Sequence, residues 1–198
     1  MENMLIAGLL SYLLGSIPNG LWLGKAVWHT DLREHGSHNI GATNAWRTLG
    51  KPAGISIFLL DFAKGALSVY LASLLVGTPV FMIVCGILAI LGHSCSLFLK
   101  FKGGKGVATG LGVMVMLMPL PALMVFLLWL AIVKVSGYVS LGSIVAAACV
   151  PVLAWLMHYS FEFILFGVLA AVFIIVRHHS NIGRLLKGTE SKIQAAKR

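Results

Sequence analysis

The sequence predicts an all-α membrane protein, a polytopic bundle of transmembrane helices, on three observations. The first is composition: 59% of the 198 residues are hydrophobic and only 11% are charged, with a mean hydropathy of +0.94, far from the balance of a soluble globular domain. The second is patterning. Apolar stretches run approximately over 4–24, 54–76, 80–99, 107–118, 122–133, 138–157 and 161–176, several of them near the roughly 20 residues that a spanning helix needs. The third is where charge falls. Fifteen Lys and Arg stand against six Asp and Glu, a net charge of +9. The basic residues gather between and after the apolar stretches, as cytoplasmic loops facing anionic lipid do. The bilayer therefore accounts for the excess, and nucleic acid is not expected as a partner.

Taken in order, the first stretch has no basic segment before Leu5 and no small-residue cleavage site, so it reads as a retained span and not as a signal peptide. The loop over 25–52 carries Lys25, Arg33, Arg47 and Lys51, the next carries Lys100, Lys102 and Lys105, and the tail carries Arg177, Arg184, Lys187, Lys192, Lys197 and Arg198. All three belong inside by the positive-inside rule. Stretches 54–76 and 80–99 form a hairpin through uncharged Gly77-Thr78-Pro79, which suits the far side. Residues 107–176 must then cross an even number of times. Pro119 and Pro121 interrupt this part, Lys134-Val135-Ser136-Gly137 offers an inside turn, and His158-Tyr159-Ser160 an outside one. Four crossings give seven helices, N-terminus outside and C-terminus cytoplasmic; two give five. Seven is the expectation, although 107–118 and 122–133 would each rise only about 18 Å against a hydrocarbon core of about 30 Å. The bundle is read as one domain over 1–198, without internal repeats. Cys85, Cys95 and Cys149 lack metal-ligand spacing and read as inert thiols.

Four polar clusters interrupt the apolar background. His35-Gly36-Ser37-His38-Asn39-Ile40-Gly41-Ala42-Thr43-Asn44-Ala45-Trp46-Arg47 is dense in hydroxyls and amides and nearly free of acids. It can bind anions, or it can form turns and start a helix ending at Gly50. The run Phe101 to Thr109 packs Lys102, Lys105 and Gly103, Gly104 and Gly106 into a short gap. Glycines can aim bare N–H groups at one anion while lysines add charge. The Walker spacing fails because Leu99 stands where the first glycine is required, so nucleotide hydrolysis has no support. Arg177-His178-His179-Ser180-Asn181 continues to Glu190; imidazoles beside arginines resist protonation, and a neutral one can accept a proton. Ser140 and Ser143, three residues apart, share a helix face. Asp61 and Lys64 are expected to pair inside the second span, and His93 lies close enough to the second loop to reach it. All four clusters map to one side of the membrane, and together they suggest a cytoplasmic-face cavity for a substrate with phosphate at one end and an acyl chain in lipid.

The same residues resemble the bacterial acyl-phosphate:glycerol-3-phosphate acyltransferase family over nearly the whole chain. Gly15-Ser16-Ile17-Pro18, Gly24-Lys25, Asp31-Leu32-Arg33, Gly36-Ser37, Asn39-Ile40-Gly41-Ala42-Thr43-Asn44 and Leu49-Gly50-Lys51 are similar to its first motif region. Gly92-His93 and Phe101 to Thr109 are similar to the second, and His178, Asn181-Ile182, Arg184-Leu185 and Gly188-Thr189-Glu190 to the third. His38 stands where the family commonly has glycine, Cys95-Ser96 replace a usual Phe-Pro, and His179 replaces a frequent arginine.

The resemblance implies a seven-helix enzyme of the bacterial inner membrane, its active site facing the cytoplasm. It would transfer a fatty acyl group from acyl phosphate to the 1-hydroxyl of glycerol 3-phosphate, giving lysophosphatidic acid and inorganic phosphate. No metal or cofactor is implied, membrane lipid is the surrounding partner, and the sequence leaves the oligomeric state open, a monomer being compatible with it. Arg47 and Lys105 are expected to bind the glycerol 3-phosphate phosphate, helped by Lys102 and the Gly103-Gly104 backbone. Ser37, Asn39, Thr43, Asn44, Ser143 and Asn181 are expected to hold the acyl phosphate and the glycerol hydroxyls. The catalytic set is Ser37, Lys105, His178 and Asn181, with His178 or a donor phosphate oxygen as the base. Two other classes fit parts of the pattern: a transporter of organic phosphate, which usually binds at the midplane between internal repeats, and a non-catalytic lipid-binding subunit.

Overall fold

The computed structural model describes residues 1–193, and among them the chain forms ten α-helices, one 3-10 turn and no strand. Lys197 and Arg198, expected inside with the rest of the tail, lie outside the described residues. The helices fall into two compact units, residues 1–117 and 118–193.

In the first unit, α1 (Glu2–Ser16) and α2 (Asn19–Trp28) stand where one continuous span is expected, with a 43° bend between them. Pro18 lies at the bend, where it lacks the N–H that a continuing helix would use. The short α3 (Ala42–Leu49) ends at Gly50, whose φ of +97° suits glycine. It leads into α4 (Lys51–Leu75), with Pro52 in the first turn, where no N–H is missed. α5 (Pro79–Ser94) runs on through a 3-10 turn at Leu97–Leu99, and α6 (Val107–Leu117) completes the unit. α4 is the hub, packing against α1, α3, α5 and α6. A Cβ on Gly65 would overlap the Thr109 carbonyl, and one on Gly112 the Phe62 carbonyl. Small residues thus let α4 and α6 approach backbone to backbone, the contact that holds helices together in lipid.

The second unit comprises α7 (Pro119–Ser136), α8 (Val139–Leu156), α9 (Phe161–Arg177) and α10 (His179–Leu186), with α8 packed against both α7 and α9. The expected helix over 122–133 is longer than its apolar core. Pro119 opens α7, Lys134 lies in its last turn, and its 18 residues rise about 27 Å at ~1.5 Å each. Gly137, at φ +79°, terminates it. α9 bends by 61° into α10 at His178, and Gly188, at φ +68°, marks the end of the helical tail.

Among the described residues, four segments are long and apolar enough to cross a membrane: α4, α5 with its 3-10 extension, α7 and α8. The bent pairs α1–α2 and α9–α10 each qualify as one broken span, and α6 is shorter at 11 residues.

Candidate active site

Asn44, in the first turn of α3, is 2% exposed and organises the loop before it. Its amide nitrogen donates to the carbonyls of Leu32, His35 and Asn39 at 2.9–3.0 Å, and its Oδ1 accepts the Ser37 N–H at 2.9 Å. Gly36 lies over that oxygen so closely that a Cβ would collide with it. Asn44, expected to hold substrate, thus also bonds the loop backbone through both its amide nitrogen and its Oδ1. Asn39 Oδ1 likewise accepts the Gly41 N–H at 2.9 Å. Arg33 hydrogen-bonds the Asp31 carboxylate and, with Lys25, holds it well below the usual carboxylate range despite its burial. Ser37 is exposed on this loop, while Thr43 and Arg47, one turn apart on α3, are half-buried on a shared face. His38 has a left-handed φ of +56°, which accounts for the family's glycine there. The strain, about 1–2 kcal/mol, is offset by a hydrogen bond from its Nδ1 to the Arg33 carbonyl at 2.9 Å.

The glycine-lysine loop is built onto the end of α5. Gly103 N–H donates to the Ser94 carbonyl at 2.9 Å and Gly104 N–H to the His93 carbonyl at 3.1 Å. Both N–H groups, expected to help bind an anion, donate to main-chain carbonyls of residues 93 and 94. The glycines are required sterically as well, because a Cβ on Gly103 would overlap the His93 carbonyl and one on Gly104 the His93 ring. Lys102 is exposed and Lys105 half-buried, two residues before α6 begins. Beneath the loop, His93 Nδ1 is 3.7 Å from Asp61 Oδ1, which also meets Lys64 Nζ and Asn19 Nδ2 at 3.0 Å each. Lys64 Nζ donates in addition to the Ile17 carbonyl at 2.8 Å. The expected Asp61–Lys64 pair is present, with His93 added to it.

In the second unit the central group is Glu190, 8% exposed. Its Oε1 accepts from Ser140 Oγ and Asn181 Nδ2, and its Oε2 from Arg184 Nε, all at 2.7 Å. Burial pushes the Glu190 carboxyl up, but the three donors and the Arg184 charge outweigh burial and hold it below the usual glutamate range. His178, 3% exposed, lies with Nδ1 2.7 Å from the Ile174 carbonyl. A carbonyl only accepts, so Nδ1 carries the proton and Nε2 is the basic nitrogen of the neutral ring. Ser143 Oγ donates to the Val139 carbonyl at 2.9 Å and accepts from Trp129 Nε1 at 3.3 Å.

The structure thus brings Ser37, Asn39, Asn44, Thr43 and Arg47 onto one loop-helix segment. It docks Gly103 and Gly104, next to Lys105 in the chain, on the Ser94 and His93 carbonyls and places His178 and Asn181 at the α9–α10 bend. Sequence reasoning missed Glu190 as a site residue. Its signal was present, since it is the one acid in a tail of six basic residues.

Basic side chains, amides and hydroxyls concentrated at helix ends, on helices otherwise apolar, define an integral membrane protein that handles a phosphate-bearing substrate. A family model described as glycerol-3-phosphate acyltransferase matches residues 5–188. The chain is 47% identical over 190 residues to the glycerol-3-phosphate acyltransferase of Desulforamulus reducens, covering 96% of this chain and 94% of that one. It is 48% identical to that of Trichlorobacter lovleyi, covering 96% of each. A crystal structure of PlsY, an integral membrane glycerol 3-phosphate acyltransferase, in its glycerol 3-phosphate form matches with a TM-score of 0.91 at 40% identity over 96% of both chains. The chain belongs to the glycerol-3-phosphate acyltransferase family. It is a membrane enzyme that acylates glycerol 3-phosphate.

Proposed function

We propose that the acyl donor is acyl phosphate and the acceptor atom the 1-hydroxyl of glycerol 3-phosphate, with lysophosphatidic acid and inorganic phosphate as products. The reading places the enzyme in the bacterial inner membrane as one domain of seven helices, N-terminus outside and active site cytoplasmic. The observation that carries it is the seat of Lys105: a half-buried lysine in a loop docked on His93 and Ser94, two residues before the N-terminus of α6. The first N–H groups of a helix have no intrahelical partner and favour an anion, as the lysine does. Arg47 and Lys105 bind the acceptor's phosphate, with Lys102 adding charge. Ser37, Thr43, Ser143 and Asn181 serve the donor and the glycerol hydroxyls, Asn44 shapes the first loop, and Glu190 orients Asn181.

Acyl phosphate is a mixed anhydride with an activated carbonyl and a good leaving group. The acceptor hydroxyl oxygen forms a bond to the carbonyl carbon, the carbon–oxygen bond to phosphate breaks, and phosphate leaves with the electron pair. The hydroxyl proton passes to His178 Nε2 or to a phosphate oxygen of the donor. Positioning and charge stabilisation then supply most of the acceleration. The test is the purified protein in detergent, monitored for inorganic phosphate. Release that requires both acyl phosphate and glycerol 3-phosphate is expected, whereas turnover with acyl-CoA in place of acyl phosphate would overturn the donor assignment. A transporter or a non-catalytic subunit would release none.

A further inference from the structure

We infer that His93, held by Asp61, is a positioning residue for glycerol 3-phosphate: its imidazole is the floor on which the glycine-lysine loop is set. The inference rests on the reading of that loop as the phosphate seat. Two main-chain hydrogen bonds dock the loop on residues 93 and 94, and the ring then fills the space under Gly104. A Cβ at Gly104 would overlap Nε2 and come within 3.0 Å of Cε1 and 3.1 Å of Cδ2. The other edge of the ring, at Nδ1, faces Asp61 Oδ1 at 3.7 Å. Asp61 is itself fixed by Asn19 and Lys64, and Lys64 by the Ile17 carbonyl at the α1–α2 bend.

A chain of polar groups therefore runs from that bend through α4 to His93 and ends against the residue preceding Lys105. Asp61, Lys64 and His93 are each 6% exposed or less. Buried charge at membrane depth is costly and is ordinarily retained for function. An imidazole suits the task because it is flat, with one nitrogen at each end: one toward a carboxylate, the other against backbone. A loop shifted by about 1 Å would take the Lys105 ammonium off a bound phosphate, and misplacements of that size cost on the order of 10²-fold.

Alanine at either glycine separates the ring from the main chain. At 104 the new methyl meets the imidazole; at 103 it meets the His93 carbonyl, which any residue at 93 retains. We expect His93→Gln to raise the KM for glycerol 3-phosphate about tenfold, with the KM for acyl phosphate within about twofold of wild type. Gly104→Ala should raise the same KM, and His93→Ala should relieve it in the double variant, as coupled neighbours do, whereas Gly103→Ala should not be relieved. Should His93→Ala fail to fold in detergent, as read by thermal unfolding, His93→Gln replaces it, since its flexible amide can swing aside. Both KM values unchanged in His93→Gln, both raised together, or no relief of Gly104→Ala would each overturn the inference. Lys105→Ala in the same assay distinguishes the two levels. If it leaves the glycerol 3-phosphate KM unchanged, the reading of the loop fails and the inference falls with it. If it raises that KM while the His93 and Gly104 variants behave like wild type, the inference fails alone.

Discussion

Asn181 Nδ2 donates a 2.7 Å hydrogen bond to Glu190 Oε1, which accepts Ser140 Oγ at the same distance. One buried carboxylate thus fixes the amide of α10 and the first turn of α8. Glu190→Gln keeps the shape but replaces an acceptor with a donor facing Arg184, and should cost about 1–3 kcal/mol in thermal unfolding and most of the activity. The pH dependence has a definite sign. Folding lowers the Glu190 pKa, so its contribution is complete above the ordinary glutamate value of about 4.3 and is lost as pH falls through the folded value. The wild-type unfolding temperature should therefore drop more steeply than that of Glu190→Gln below that pH. Parallel curves would show that the carboxylate contributes nothing.

Asn44→Ala removes four hydrogen bonds from the loop over 32–39 and strands the Leu32 carbonyl, whose bond is buried, together with two part-buried ones at His35 and Asn39. A loss of about 2–4 kcal/mol follows from leaving several such groups unsatisfied, with activity reduced through displacement of Ser37. Asn44→Asp keeps the acceptor for Ser37 N–H but repels the carbonyls, so it should be no better than alanine. An aspartate variant with wild-type stability would contradict the assignment of the amide nitrogen.

Asp61 and Lys64 should show strong coupling. Removing either partner alone leaves a buried charge and costs about 3–5 kcal/mol. The double replacement Asp61→Asn with Lys64→Met leaves none, so its loss should be well below the sum of the two single losses. A double-mutant cycle on detergent unfolding measures this, and additive losses would mean the pair at 3.0 Å is not an energetic unit.

His178 separates the two proton routes. Its geometry makes Nε2 the basic nitrogen, and a general base contributes typically ~10²–10⁴-fold. His178→Ala activity below about one hundredth of wild type, with loss of the acidic limb of the pH profile, is the expected result if imidazole takes the proton. Activity above that level assigns the proton to the donor's phosphate.

Much of this was legible in the residues. Each of the seven apolar stretches is largely helical, with breaks at residues 17–18 and 95–96, the short helix of the first loop ends at Gly50, and Asp61 pairs with Lys64. What went astray had local causes. Pro119 and Pro121 read as a break, and one falls at Met118 between α6 and α7. The helix read over 122–133 is longer, however, because proline in a first turn starts a helix and α7 runs from Pro119 to Ser136. Glycines at 103 and 104 read as N–H donors, and the packing of both against His93 was not legible from the sequence.

The sequence by itself determined that this is a helical membrane protein with basic and polar clusters at its loops, because hydropathy, charge placement and motif spacing are properties of short segments. Tertiary structure alone decided which polar groups meet. Asn19 reaches Asp61 across 42 residues and Ser140 reaches Glu190 across 50. These pairings depend on how each helix is rotated about its axis. A helix apolar on every side carries little periodic signal to reveal that rotation.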